Sequence, residues 1–92
     1  MIELTTFRLR AGVVDAAFLA ADARMQTDVA YQRPGLLRRT TARGEDGRWL
    51  VLTLWASADD TDPAARAAAT DPEFESLVDT ASRRTERYAP ID

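Results

Sequence analysis

An α+β fold of the ferredoxin-like kind, a four-stranded antiparallel sheet in β-α-β-β-α-β order with both helices on one face, is what this 92-residue chain predicts. Three observations carry the prediction. Two strand-like runs flank Gly44-Glu45-Asp46-Gly47 and read as a central hairpin. Apolar residues recur at spacings of three and four both before and after that hairpin, which is the helical period. Further strand-like runs lie at the two ends of the sequence.

Ile2 to Arg10 alternates loosely and is rich in β-branched and aromatic types, so it predicts the first strand, broken by Gly12. Asp15 is a plausible N-cap for a helix whose stripe is Val14, Phe18, Ala21, Met25 and Val29 and whose end lies near Gln32. Arg33-Pro34-Gly35 stops it, since proline disfavours helical geometry in the residue before it. Leu36 to Arg43 and Arg48 to Ala56 are the hairpin strands. With an even loop, Leu36, Arg38 and Thr40 share a face with Val51, Thr53 and Trp55; a three-residue loop reverses that assignment. Asp62-Pro63 predicts a short alanine-rich helix through Ala69, and Asp71-Pro72 starts another that buries Phe74, Leu77, Val78 and Ala81 and runs to about Arg83. Thr85 to Ile91 predicts the last strand. No linker or repeat divides the chain, so residues 1–92 read as one domain.

The third strand, Arg-Trp-Leu-Val-Leu-Thr-Leu-Trp-Ala-Ser from Arg48 to Ser57, is apolar on both faces. Helices cover only one side of such a sheet. Leu50, Leu52 and Leu54 on the other side therefore predict a homodimer through the helix-free face, with apolar burial contributing roughly 25 cal/mol per Å².

Composition restricts the chemistry. All 12 basic residues are arginine, and the chain holds no lysine, histidine, cysteine or asparagine. That leaves no imidazole base, thiolate, Schiff-base amine or usual zinc or haem histidine, and it excludes a Ser-His-Asp triad. Acid–base work falls to Asp, Glu or Tyr. A net charge of −3 with arginines dispersed among acids predicts no nucleic-acid partner. No apolar run near 18 residues and no export signal at Met1-Ile2-Glu3-Leu4 predict a cytoplasmic protein without a membrane partner. Asp59, Asp60 and Asp62 lack the spacing of a calcium loop and read as helix-start residues, as do Glu73 and Glu75, so no metal site is predicted.

Arg33-Pro34-Gly35-Leu36, Leu52-Thr53-Leu54-Trp55-Ala56-Ser57 and Asp71-Pro72-Glu73-Phe74, in this element order, resemble the antibiotic biosynthesis monooxygenase-like proteins of the dimeric α/β-barrel superfamily. The resemblance implies two sheets back to back in a dimeric barrel and a ligand cleft between sheet and helices in each subunit. It also implies an oxygenase of small aromatic compounds or a barrel with no chemistry. Trp55 matches the strand-end tryptophan that lines the cleft in active members. Polyketide-type members carry asparagine where Val51 stands, and haem-degrading members carry asparagine near Phe7 and a histidine ligand near Val78. The resemblance thus points away from haem and toward a protein with no cofactor.

Trp55 is a candidate to stack an aromatic ligand or donate its indole N–H, or else a core residue. Arg38 is a candidate to hold a substrate anion through its planar fork. Tyr31 and Tyr88, the two phenols, are candidate proton relays. Thr5, Phe7, Val51 and Thr53 are candidate walls. Two functions follow: a cofactor-independent monooxygenase-like protein acting on a phenolic or quinonoid compound, or a non-catalytic dimeric barrel that binds a small apolar ligand.

Overall fold

The computed structural model describes residues 1–61 and 70–92. Its elements are β1 (Ile2–Leu9), α1 (Asp15–Asp28), a 3₁₀ turn (Ala30–Gln32), β2 (Leu36–Arg43), β3 (Trp49–Trp55), a 3₁₀ turn (Ala58–Thr61), α2 (Pro72–Leu77) and β4 (Val78–Tyr88). The strands form one antiparallel sheet in the order β2-β3-β1-β4. This is the ferredoxin-like arrangement that the element order predicts. The short helix predicted from Pro63 to Ala69, with Asp62 as its cap, lies outside the described residues. Among the described residues no helix is long and apolar enough to cross a membrane.

Phe18, fully buried on α1, is the centre of the core. Its ring lies 5.7 Å from Phe7 on β1, 4.6 Å from Trp49 on β3 and 5.3 Å from Phe74 on α2, with tilted or edge-on geometry that suits aromatic quadrupoles. Val78 is also fully buried and completes the cluster with Val51. The predicted helical stripe holds at Phe18 and Ala21 but not at Val14, which is exposed. Val14 is instead the cap position, extended and without a side-chain cap, so Asp15 is the first helical residue rather than the N-cap. Asp15 reaches Arg43 at 3.1 Å.

The helix stops at Asp28, before the predicted end at Gln32, because the chain tightens into the 3₁₀ turn that carries Tyr31. The Tyr31 hydroxyl accepts from the Arg39 N–H (3.1 Å) and donates to the Arg39 carbonyl (3.3 Å). It thereby occupies the open edge of β2, where unpaired backbone groups would otherwise face water.

The hairpin closes on three residues. Gly44 N–H donates to the Arg48 carbonyl at 2.7 Å, enclosing Glu45, Asp46 and Gly47. The Asp46 carboxylate accepts from Arg48 N–H at 3.0 Å, and this bond together with Arg8 holds its pKa below the usual carboxylate value. Gly47 has φ +81°, the left-handed position of a three-residue hairpin loop. A Cβ there would meet nothing closer than 3.8 Å, so only the backbone resists substitution. Gly47→Ala is expected to destabilise the protein by about 1–2 kcal/mol in urea titration, with the slope unchanged.

Loop length sets parity. Arg43 pairs with Trp49, Thr41 with Val51 and Arg39 with Thr53, so Arg39, not Arg38, shares the face of Val51, Thr53 and Trp55. Arg38 pairs with Leu54 and is exposed on the opposite side. A register shift between Leu36 and Arg38 returns Leu36 to pair with Trp55.

The last helix is shorter than predicted. It begins as expected, with the Asp71 carboxylate accepting from Phe74 N–H at 3.2 Å and Pro72 in the first turn. It ends at Leu77, because Val78 and Asp79 pair with Leu9 and Arg8 of β1. The three-and-four spacing of Phe74, Leu77, Val78 and Ala81 was equally compatible with a helix-to-strand change, and long-range pairing decides it. Around the break in register, Ser82 Oγ accepts from Arg8 N–H at 2.8 Å and donates to the Asp79 carbonyl, replacing ladder bonds with side-chain bonds. β4 ends at Tyr88, and Ile91, predicted within the strand, is fully exposed.

Candidate functional site

Alternation along β1 and β3 sends Thr5, Phe7, Val51, Thr53 and Trp55 to the helix-bearing face, where they line a cavity of about 330 Å³. All five were candidate wall residues. Met25 of α1, Phe74 of α2 and Val78 add apolar surface, and Leu36 closes the end beside Trp55. Polar and charged side chains, among them Glu3, Arg39, Glu75 and Arg83, share the wall.

Trp55 is 6 % exposed, and its Nε1 is a buried donor with no acceptor among the described residues. Such groups are rare, and a buried N–H without a partner costs about 1–3 kcal/mol. The rest of the residue is well fixed: Trp55 N–H donates to the Met1 carbonyl at 2.8 Å and Trp55 C=O accepts from the Met1 amine at 3.0 Å.

The deeply buried cation in the wall is Arg39. Its guanidinium donates to Asp22 Oδ1 at 2.7 Å, to Gln26 Oε1 at 3.1 Å and to Thr41 Oγ1 at 3.3 Å, and it lies 5.7 Å from the centre of the Phe74 ring. The pair is deeply buried, with side chains 3 % and 10 % exposed. One turn of α1 thus supplies both partners, since Asp22 and Gln26 are four apart and face the same way. Tyr31 holds the Arg39 backbone from the other side.

At the α2 end, Arg83 and Glu75 form a two-pronged ion pair on the cavity wall, with Nη1 to Oε1 at 3.0 Å and Nη2 bonded to Oε2. Each side chain is about one-third exposed, so this pair meets solvent where the Arg39 pair does not. Thr5 and Thr85 exchange a hydroxyl bond at 3.2 Å across β1 and β4.

Three candidates lie elsewhere. Arg38 is on the opposite sheet face. Tyr31 does not line the cavity, its hydroxyl being committed to the Arg39 backbone. Tyr88 pairs with Ile2, is half-exposed, and its hydroxyl is bound by Glu86, which raises its pKa above that of a free phenol. Arg39, Glu75 and Arg83 escaped the sequence reading. A glycine at the third loop position was the signal for the parity that selects Arg39, and an acid at Asp22 interrupting the Phe18–Ala21–Met25 stripe was the signal for its partner. The Asp60 carboxylate, among the acids read as helix-start residues, accepts from Ser57 N–H (3.1 Å) and Oγ (3.2 Å).

The fold is that of the antibiotic biosynthesis monooxygenase-like proteins. The structure is similar to SnoaB, a cofactor-independent oxygenase from Streptomyces nogalater, with a TM-score of 0.71, 17 % identity, and 99 % of this chain and 92 % of that one covered. It is similar also to candidate antibiotic biosynthesis monooxygenases from Caulobacter crescentus (TM-score 0.72, 18 % identity, 99 % and 89 % covered) and Nitrosomonas europaea (TM-score 0.70, 13 % identity, 99 % and 98 % covered). No protein-family model and no curated protein matches the sequence.

Proposed function

We propose that this protein is a cofactor-independent monooxygenase-like protein that takes a small electron-rich phenolic or quinonoid compound into the cavity beside Trp55. The observation that carries the reading is Trp55 in the cavity wall, with its buried indole N–H unpartnered among the described residues. It supplies a donor for one ligand oxygen, and the ring offers a stacking face. The likeness to SnoaB supports the oxygenase class.

The chemistry asks little of the protein. A phenol can reduce O₂ with its own electrons: a ring C–H and the O–H break, a new C=O forms from one oxygen atom, and the other leaves as water with both hydrogens. Enclosure, orientation and stabilisation of charge developing on the phenolic oxygen are the contributions required. Trp55 Nε1 meets that oxygen, and Arg39 places a fixed positive charge in the wall.

Trp55→Phe keeps an aromatic face, a smaller one, and removes the donor. Oxygen uptake matched by quinone formation is expected from the wild type with a panel of hydroquinones and naphthols, and the variant is expected to lose about tenfold in kcat/KM. Equal rates in the two proteins sink the assignment. A second reading, a binding barrel without chemistry, is favoured by the apolar Phe7, Val51 and Val78 in the wall. It predicts tight binding of the same compounds with no oxygen uptake.

The helix-free face supports a homodimer. Ile2, Leu4, Leu50, Leu52 and Leu54 lie there side by side and are only half-buried in the single chain. A second copy covering them would bury this patch.

A further inference from the structure

We propose that the cavity selects uncharged aromatic carbonyl compounds over aromatic carboxylates, and that Glu75 sets this preference; the inference rests on reading the cavity as a ligand site. Each described side chain that brings a full charge to the cavity wall already has an opposite charge beside it. Arg39 is bonded to Asp22 at 2.7 Å, Arg83 to Glu75, and Glu3 lies 3.5 Å from Arg87.

An anionic ligand therefore meets no unpaired cation among the described residues. To be held it must leave water and displace a resident carboxylate from an arginine, and a buried charge without a partner costs several kcal/mol. Asp22 is not available for displacement, because it and Arg39 are almost wholly buried. Glu75 is, because its pair with Arg83 is part-exposed. Glu75 thus occupies the place on Arg83 that a ligand carboxylate would take, with the same bidentate geometry. An uncharged ketone or quinone faces no such competition. It needs one donor for its carbonyl oxygen, and among the described residues the buried side-chain donor without a partner is Trp55 Nε1. Charge then develops on the ligand only during reaction, where the same N–H stabilises it.

The test uses two compounds of nearly the same shape, 2-acetylnaphthalene and 2-naphthoate, titrated by calorimetry into the wild type, Glu75→Gln and the Glu75→Gln/Arg83→Gln double variant, each checked for native circular dichroism. In the wild type the ketone is expected to bind at least about tenfold more tightly than the acid. In Glu75→Gln the freed Arg83 is expected to strengthen naphthoate so that the ratio falls about tenfold or more, and the double variant is expected to remove that gain. Wild type that prefers the acid, or a ratio that Glu75→Gln leaves unchanged, overturns the charge-selection proposal while leaving the cavity a ligand site. Binding of neither compound overturns both that proposal and the reading beneath it.

Discussion

Phe18→Ala is expected to cost about 3–5 kcal/mol, which takes most of the stability available to a domain of this size. Phe18 is fully buried and touches aromatic rings from β1, β3 and α2 at once. Those rings are themselves fixed by their strands and helix, so relaxation into the void is left to the partly buried Leu9, Val13 and Met25 packed against the cluster. The measurement is the urea midpoint followed by near-ultraviolet circular dichroism, where Trp49 reports the core. Phe18→Leu, which keeps much of the volume, is expected to lose less than half as much. A loss below about 1.5 kcal/mol for the alanine variant would mean that the three rings collapse onto one another and that Phe18 is not their spacer.

Asp22→Ala carries the second large effect, about 3–5 kcal/mol, for an electrostatic reason rather than a volumetric one. It strips the 2.7 Å partner from a guanidinium that is buried and cannot lose its proton. Gln26 and Thr41 still accept from Arg39, but neither offers charge. Asp22→Ala/Arg39→Met removes both charges, and most of the loss is expected to return, because replacing a whole buried pair by apolar groups is often neutral. Chemical denaturation of the two single variants and the double variant closes the cycle. A double variant no more stable than Asp22→Ala alone would show that Asp22 acts through packing. The Arg39→Met change also removes the buried cation from the cavity wall while Arg83 stays, so the same proteins test whether the Arg39 charge contributes to oxygen uptake.

Much of the architecture was legible because local and long-range signals agreed. The boundaries of β2 were readable to the residue, and the wall residues Thr5, Phe7, Val51, Thr53 and Trp55 followed from simple alternation once the sheet order was set. Agreement failed where two structures fit one pattern. Val78 satisfies both the apolar stripe of a helix and the buried position of a strand, and only its pairing with Leu9 decides between them. Arg38 and Arg39 are adjacent and chemically identical, so nothing but the number of loop residues says which one faces the cavity. Glu75 and Arg83 were hidden for a related reason. An acid near a helix start has a sufficient local explanation in the helix dipole, and its bond to an arginine eight residues on appears only when α2 ends at Leu77 and β4 turns back beneath it.

The three-residue hairpin loop has a genetic consequence. Removing one codon between Gly44 and Arg48, with a three-residue loop re-formed from Gly44, would leave β3 in place and move every side chain of β2 to the other face. The paired arginines blunt that change, since Arg38 would then enter the wall and a guanidinium would still line it. Thr40 would likewise replace Thr41. The change that could not be absorbed lies at Arg43, which touches the Trp49 ring and Asp15 and would be exchanged for Ala42. In this chain, then, tolerance to a frame-preserving deletion is graded along one strand, greatest beside the cavity and least at the turn.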